Sequence, residues 1–273
     1  MRLVADTDGA GVKLIDELDD SNAGALNAYL EVEIPDADMD KWRNALAHRA
    51  DADDSPINAQ DVERYAQDIR DIQRFVEDDS VDLSKSNRVV KEVIDNPEDD
   101  GQILGQMLEA RRAVHYADSS RDVTVDPTTS GVGEPDLRVG RGSDSDLYVE
   151  TKMTEGDLDG GLKVKDKIVE SDGSFDGIAG DHDEIVEISA QREITDDFNP
   201  NTPETETPME SFKQMVKANK MNPDDPPIEK LPSALSDYDN PDMTIRVLDT
   251  DGNVVDGGEF SIREVYQEVD NGN

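Results

Sequence analysis

The stretch from Pro135 to Met153, PDLRVGRGSDSDLYVETKM, contains two short runs of strand-forming residues separated by a segment rich in Gly, Ser and Asp. Two runs of this length joined by such a segment predict a β-hairpin with a loop of several residues. The first run carries Asp136, and the second carries Glu150 and Lys152. The hairpin therefore predicts that two acids and one lysine come together on adjacent strands.

The sequence on either side of this hairpin extends the prediction to a larger α/β core. Before it, apolar residues at helical spacing over 99–114 predict a helix, and 122–125 predict a short strand. After it, 162–169 show a short helical pattern, and 184–189 alternate as a strand does. The expected order within residues 98–190 is therefore helix, three strands, helix and strand.

The sequence of residues 1–97 predicts a short strand at 3–5 and, after it, a mainly helical region. Asn58, with Asp61 three residues later, is a candidate N-cap within it. The predicted helices contain no recognisable chemistry. Their apolar residues recur at helical spacing in four blocks, at 25–32, 39–47, 62–76 and 89–94.

Residues 191–273 predict an extension that contains a small β-hairpin. Residues 191–208 are acidic, rich in Pro, Thr and Asn and without periodicity, which is typical of a linker. A short helix is expected over 211–221. The strands at 243–248 and 253–260 flank an Asp-Gly pair, which favours a tight turn between them.

The charge of the chain indicates its solvent rather than its partner. The chain has 66 Asp and Glu against 27 Lys and Arg, a formal net charge of -39, and the acids are spread along the whole length. In ordinary buffer this balance argues against a nucleic-acid partner. At about 1 M salt, however, the Debye length is roughly 3 Å, so self-repulsion is screened and hydrated carboxylates keep a protein soluble. The composition predicts a protein of the high-salt cytoplasm of a halophilic archaeon.

Several classes of site are excluded or disfavoured by composition. The chain has no Cys, which excludes disulfides and thiolate zinc sites. No apolar run approaches the length of a membrane span, and no secretory signal is recognisable, so no membrane association is expected. His48, His115 and His182 are scattered and are interpreted as structural. The Asp-rich segment 249–253 lacks the acidic ligand that closes a calcium loop and is interpreted as a turn.

Asp136, Glu150 and Lys152 suit the metal-dependent hydrolysis of a phosphodiester. Magnesium prefers hard oxygen ligands and keeps several waters, so two carboxylates and a backbone carbonyl suffice to bind it. Asp136 and Glu150 can converge on one ion from adjacent strands, and Lys152 points to the same face as Glu150. The Thr151 carbonyl would be the backbone ligand, and Glu109 of the preceding helix could complete or adjust the site. The pattern predicts a Mg²⁺ (or Mn²⁺) site.

These residues resemble the PD-(D/E)xK nuclease superfamily in Pro-Asp at 135–136, in Glu-Thr-Lys at 150–152 and in the order of core elements. The helix at 105–113, GQMLEARRA, is similar to the G-x-x-x-E-A helix of nuclease toxin domains in that superfamily. The resemblance covers roughly a third of the chain. It implies a restriction-endonuclease-like αβββαβ core in which the two motif acids bind metal and the lysine orients or activates water. The helical Glu109 would be a frequent but variable further member of the catalytic set.

The specificity of the motif comes from its position. Chance alone would give on the order of three (D/E)-x-K triplets in so acidic a chain, yet the triplet at 150–152 is the only one. Other Pro-Asp pairs occur, but only the pair at 135–136 precedes a triplet at hairpin distance. The alternative interpretation is a coincidental acidic hairpin on a halophilic surface.

A cluster of three lysines follows the hairpin, at Lys163, Lys165 and Lys167. These side chains could contact substrate phosphates, or they could form local ion pairs with neighbouring Asp residues. Both interpretations stay open at the level of the sequence.

The sequence therefore predicts a Mg²⁺-dependent endonuclease that hydrolyses DNA or tRNA. A nuclease toxin domain of a larger delivered polypeptide, with an immunity protein as its partner and another cell as its destination, is the first subclass. A restriction, repair or recombination nuclease is its rival. The alternative class is a non-catalytic structural or interaction protein of a halophilic archaeon or its virus. The sequence leaves the oligomeric state open.

Overall fold

A computed structural model of the chain divides it into two compact units, residues 1–126 and 127–273. Residues 98–126 of the predicted core belong to the first unit and 127–190 to the second. The residues described by the structure are 9–21, 23–78, 81–82, 87–119, 122–127, 135–140, 146–154, 183–190, 209, 213, 244–249, 252–261, 264–265 and 268.

The described part of the first unit is mainly helical, as predicted. Helices confirm all four apolar blocks, and the predicted helix at 99–114 and strand at 122–125 are also present. The first helix and a two-residue strand were not predicted, and the expected strand at 3–5 lies outside the described residues. In chain order the elements are α1 (Ala10–Ser21), α2 (Ala23–Glu31), α3 (Met39–Asp51), α4 (Ala59–Glu77), β1 (Val81–Asp82), α5 (Arg88–Asp95), α6 (Asp100–Asp118) and β2 (Val123–Val125).

Side chains at the helix starts satisfy N–H groups that have no partner within the helix. At α4 the Asn58 side chain accepts from Gln60 N at 2.8 Å and from Asp61 N at 3.2 Å. The Asp61 carboxylate accepts from Asn58 N at 3.0 Å, which completes a capping box. Asp38 and Asp99 cap α3 and α6 in a similar way. The N-cap predicted at Asn58 is confirmed.

The core of the first unit is centred on Trp42, which is fully buried. Its ring lies between Tyr29 and Tyr65, with centroid distances of 5.9 and 5.5 Å. The Tyr65 hydroxyl donates to the Val89 carbonyl at 2.5 Å, and Arg43 Nε donates to the Tyr29 carbonyl at 3.0 Å. Helices α2 to α5 are thus joined by aromatic packing and by buried polar groups that have partners.

The described part of the second unit is a run of five strands in mixed pairing. Adjacent strands pair in chain order: β3–β4 and β6–β7 are antiparallel, and β4–β5 and β5–β6 are parallel. The β3–β4 and β6–β7 pairs confirm the two predicted hairpins, whereas the predicted helices at 162–169 and 211–221 lie largely outside the described residues. The strands are β3 (Leu137–Val139), β4 (Leu147–Thr154), β5 (Asp183–Ala190), β6 (Thr244–Leu248) and β7 (Val254–Ser261).

The two faces of these strands differ in chemistry. Val247 pairs with Ile188 and Phe260 with Ile245, and all four side chains are buried on one face. Lys152 of β4 pairs with Ile188 in the parallel register, so Lys152 lies on the same face as these four apolar side chains. On β4 this face is therefore charged, because Glu150 also points to it. The opposite face carries a polar row that runs across β4 to β7. Its members are Thr151, Glu187, Arg246 and Glu259.

In the Asp-rich segment, the described residues Asp249, Gly252 and Asn253 form the hydrogen bonds that close the hairpin of β6 and β7. Asp249 accepts from Asn253 N through Oδ1 at 2.8 Å, and its carbonyl accepts from Gly252 N at 3.0 Å. Gly252 has a φ of 84°, a left-handed conformation that glycine adopts without strain. The interpretation of this segment as a hairpin turn is confirmed. Along the described stretches of the chain, no helix combines the length and the apolar character needed to cross a membrane.

Candidate metal and catalytic site

The antiparallel pairing of β3 and β4 determines where the predicted site residues lie. Leu137 pairs with Val149 and Val139 with Leu147. Continuing that register by one residue sets Asp136 opposite Glu150. Side chains of directly opposed residues share a face of a sheet and lie within about 5.5 Å at their Cβ atoms. Asp136 itself immediately precedes β3, so its side chain is not constrained by the ladder.

Thr151, rather than Glu150, makes the close contacts to Asp136. The Thr151 backbone N–H donates to Asp136 Oδ2 at 2.6 Å, and the Thr151 hydroxyl donates to the same oxygen at 2.7 Å. Thr151 is only 7% exposed, so these bonds form in a largely water-free environment. In an antiparallel pair of strands, the N–H and the C=O of one residue point to the same neighbouring strand. The Thr151 carbonyl therefore lies on the Asp136 side of β4 as well.

Glu150 and Lys152 form an ion pair with each other. Lys152 Nζ lies 2.5 Å from Glu150 Oε1, and the two side chains are 23% and 14% exposed. Residues two apart on a strand project to the same face, which explains the contact. The pair is half-buried, so it is screened less by salt than a surface pair. The lysine ammonium is held beside the acid that is predicted to bind metal.

Asp136, Glu150 and Thr151 offer hard oxygen donors of the kind that Mg²⁺ prefers, namely two carboxylates and one carbonyl. The part of the chain that the structure describes has no group of three or more His, Asp or Glu side chains arranged to hold a metal. A set of two acids suits Mg²⁺, which keeps several waters, better than it suits Ca²⁺, which takes six to eight oxygens. The donors of Asp136, Thr151 and Glu150 are of the chemical type that Mg²⁺ takes, and the role of these three residues as its ligands stays a prediction.

Glu109 lies on α6 in the first unit, where it is 7% exposed. Its Oε2 accepts from Gln106 Nε2 at 3.0 Å, and Gln106 Oε1 in turn accepts from the Glu92 backbone N at 2.9 Å. Gln106 thus connects Glu109 to α5. The role of Glu109 as a catalytic residue and metal ligand stays a prediction.

The predicted phosphate-binding lysines at 163, 165 and 167 lie outside the described residues. Their role also stays a prediction.

A fully buried acid that sequence reasoning missed lies beside Thr151. Glu187 on β5 is directly opposite Thr151 in the parallel register and has no solvent exposure. Arg246 Nη1 lies 3.7 Å from Glu187 Oε1, and Arg246 Nε lies 2.7 Å from Glu259 Oε2. The only sequence signal was a charged residue on the strand face that it shares with Ile185. The row therefore places a buried acid beside the Asp136–Thr151 contact.

A second buried carboxyl lies in the first unit, on α4. Asp68 Oδ2 is buried, and Arg111 Nε lies 3.7 Å away. Burial raises the pKa of Asp68 from 3.8 to about 7, and the Arg111 charge opposes that shift. Burial also raises the pKa of the nearby Tyr65 phenol well above its ordinary value. These groups lie among packed helices.

A cleft of about 640 Å³ opens in the first unit between α3 and the end of α5. Lys41 and Arg49 are among its lining residues. Lys41 lies 3.6 Å from Asp38, and Arg49 lies 2.5 Å from Asp100. Each of these two cations therefore pairs with an acid of the same unit.

Comparison with protein-family models, with curated proteins and with solved structures finds no match to this chain. What the β3–β4 residues can do is therefore inferred from their own chemistry and contacts.

Proposed function

We propose that the chain is a Mg²⁺-dependent endonuclease whose catalytic centre is formed by Asp136, Glu150 and Lys152. One observation carries the proposal. In the β3–β4 hairpin the Thr151 N–H donates to the Asp136 carboxylate at 2.6 Å, and Glu150 and Lys152, on either side of Thr151 in the sequence, form a half-buried ion pair with a 2.5 Å contact. Two acids, one carbonyl and one lysine in one hairpin are groups that can bind Mg²⁺ and position water for phosphodiester hydrolysis.

The topology of the second unit supports this proposal. The antiparallel β3–β4 pair is followed by β5, which is parallel to β4. Parallel neighbours need a crossover connection of about a dozen residues or more, and residues 155–182 are long enough to provide one. This pairing agrees with the last part of the αβββαβ order expected of the restriction-endonuclease-like core. The core as a whole is part of the proposal.

Each residue has a separate role in the proposed site. Asp136, Glu150 and the Thr151 carbonyl would hold Mg²⁺, which when bound neutralises the scissile phosphate and lowers the pKa of its water. Lys152 is held next to Glu150, where its ammonium can orient the attacking water or stabilise negative charge as it develops.

The substrate proposed is nucleic acid, either DNA or tRNA. In molar salt the release of counterions contributes little to affinity, so recognition would depend on shape and on phosphate contacts rather than on a basic surface. A toxin domain with an immunity partner is proposed as the first subclass, because of the Glu109 helix. A restriction, repair or recombination enzyme is the rival. The composition supports a high-salt cytoplasm as the place of synthesis.

The test is cleavage of supercoiled plasmid and of tRNA in molar KCl with Mg²⁺. We expect Lys152→Ala to lose on the order of 100-fold or more in rate, as loss of a positioned acid–base group does. Lys91→Ala is the matched control, because Lys91 forms an ion pair of the same length, 2.5 Å, with Asp95 on α5. Equal rates for wild type and Lys152→Ala, or a wild type that cleaves neither substrate, would contradict the proposal.

A further inference from the structure

The side chain of Thr151 has a contact that the metal-binding role of its carbonyl does not require. Its hydroxyl lies 2.7 Å from Asp136 Oδ2, the same oxygen that accepts from the Thr151 backbone N–H at 2.6 Å. The backbone bond would form with any residue at this position. The hydroxyl bond depends on threonine or serine. Two bonds from one residue to one carboxylate oxygen fix the orientation of that carboxylate.

Asp136 needs such a support because the strand does not provide it. The residue lies just before β3, outside the β3–β4 ladder. Its side chain is half-buried, whereas Thr151 is 7% exposed on a strand paired on both sides. Threonine is branched at Cβ and therefore stiff at χ1. The conformationally restricted Thr151 therefore holds the less constrained Asp136 side chain in place.

We infer that Thr151 is a positioning residue, whose hydroxyl orients the Asp136 carboxylate for binding of the divalent cation. This inference rests on the proposed function, and it adds a side-chain role at the variable position of the Glu-Thr-Lys triplet. Groups that orient a metal ligand typically contribute about 10- to 100-fold in metal affinity or activity. The effect is expected in cation binding itself, before any chemistry.

The experiment measures Mn²⁺ binding by calorimetry and the Mg²⁺ concentration for half-maximal plasmid cleavage, both in molar KCl. Thr151→Val keeps the size of the side chain but removes the hydroxyl, and Thr151→Ser keeps the hydroxyl. We expect Thr151→Val to bind Mn²⁺ about 10- to 100-fold more weakly and to need correspondingly more Mg²⁺. Thr151→Ser should stay close to wild type.

Two further variants separate the hydroxyl effect from loss of packing. Thr244→Val, on β6 and on the same face of the strands, is the matched control and should bind Mn²⁺ as wild type does. Thr151→Ala replaces Thr151→Val if the latter does not fold, and its comparison with Thr151→Ser isolates the hydroxyl. The inference is overturned if Thr151→Val or Thr151→Ala binds Mn²⁺ as tightly as wild type does. It is also overturned if Thr151→Ser loses as much Mn²⁺ affinity as Thr151→Val or Thr151→Ala.

The two readouts distinguish failure of the inference from failure of the proposed function. One outcome is that wild type binds Mn²⁺, the variants show the expected order of Mn²⁺ affinity, and no nucleic acid is cleaved. This outcome supports the positioning role of Thr151 and overturns the proposed nuclease function. A wild type that cleaves with Mg²⁺, while Thr151→Val binds metal and cleaves equally well, overturns only the positioning role. A wild type that binds no Mn²⁺ overturns both.

Discussion

Each acid that the described part of the chain buries has a neighbouring donor. Glu109 accepts from Gln106 at 3.0 Å, Asp126 lies 3.6 Å from Arg88, and Glu187 lies 3.7 Å from Arg246. Burial of a charge without a partner is costly, and neutralisation of the group often follows instead. In so acidic a chain, the few Arg and Gln residues near these acids allow them to be buried.

Asp68 is expected to make stability depend on pH. Its pKa in the folded state is raised from 3.8 to about 7, so the folded state binds this proton more tightly than the unfolded state. The stability that this proton contributes is fully present below about pH 4 and is lost as the pH rises to about 7. Asp68→Asn stays neutral throughout. Relative to wild type, it should gain on the order of 1 kcal/mol per pH unit across this window.

Denaturant unfolding of wild type and Asp68→Asn at several pH values, at constant salt, measures this difference. A difference in unfolding free energy that does not change between about pH 4 and pH 7 would mean that the carboxyl is ionised in the folded protein.

The hairpin that carries the candidate site residues Asp136, Glu150 and Lys152 could be predicted from the sequence, because two short strand-forming runs lie on either side of a turn-rich segment. The hydrogen bond from the Thr151 hydroxyl to Asp136 could not be predicted from the sequence. The register suggests Glu150 as the neighbour of Asp136, and the contact to Thr151 depends on the backbone leaving the ladder just before β3. Glu187 was missed for a different reason. Its burial depends on Arg246, which lies far away in the sequence and becomes its neighbour only through parallel pairing.

At the scale of the element, the N-termini of α4 and α5 allow a matched comparison of side-chain capping. The Asn58 side chain accepts two N–H groups at the start of α4, whereas Asn87, in the N-cap position of α5, makes no side-chain capping bond. We expect Asn58→Ala to lower the free energy of unfolding by about 1 kcal/mol. Asn87→Ala should change it by less than about 0.5 kcal/mol. Equal effects in denaturant unfolding would show that the capping box does not stabilise α4.

Elements with a strong local pattern were predictable, and those defined by distant partners were not. Helix α4 has both a capping box and a continuous apolar stripe. Strand β1, in contrast, has only two residues and exists through parallel pairing with β2. Helix α1 is an exception, because it was missed although its buried residues Ala10, Leu14 and Leu18 recur four apart, which is a helical spacing. The parallel order of β4, β5 and β6 joins segments that are far apart in the sequence, and no local pattern specifies it.

At the scale of the whole molecule, the net charge of -39 predicts a dependence on salt. The Debye length increases from roughly 3 Å at 1 M to about 10 Å at 0.1 M salt, so repulsion among surface acids becomes stronger on dilution. We expect the melting temperature, followed by circular dichroism, to rise steadily with KCl concentration into the molar range. Sucrose stabilises folded proteins without screening charge, so it should raise the melting temperature less than KCl does. A melting temperature that is the same in dilute buffer and in molar KCl would contradict the halophilic assignment.

The central claim is that Glu150, beside Lys152 and Asp136, binds the cation that cleaves nucleic acid. Its most direct test is the single-turnover rate of plasmid cleavage in molar KCl at saturating Mg²⁺, for wild type, Glu150→Gln and Glu259→Gln. Glu259 is the control, because it is an acid on β7 of the same unit that pairs with Arg246 at 2.7 Å. Loss of a metal ligand removes several kcal/mol of charge stabilisation, so Glu150→Gln should cleave about 100-fold more slowly or worse. Glu259→Gln should cleave at the wild-type rate, and a Glu150→Gln protein as active as wild type would contradict the account.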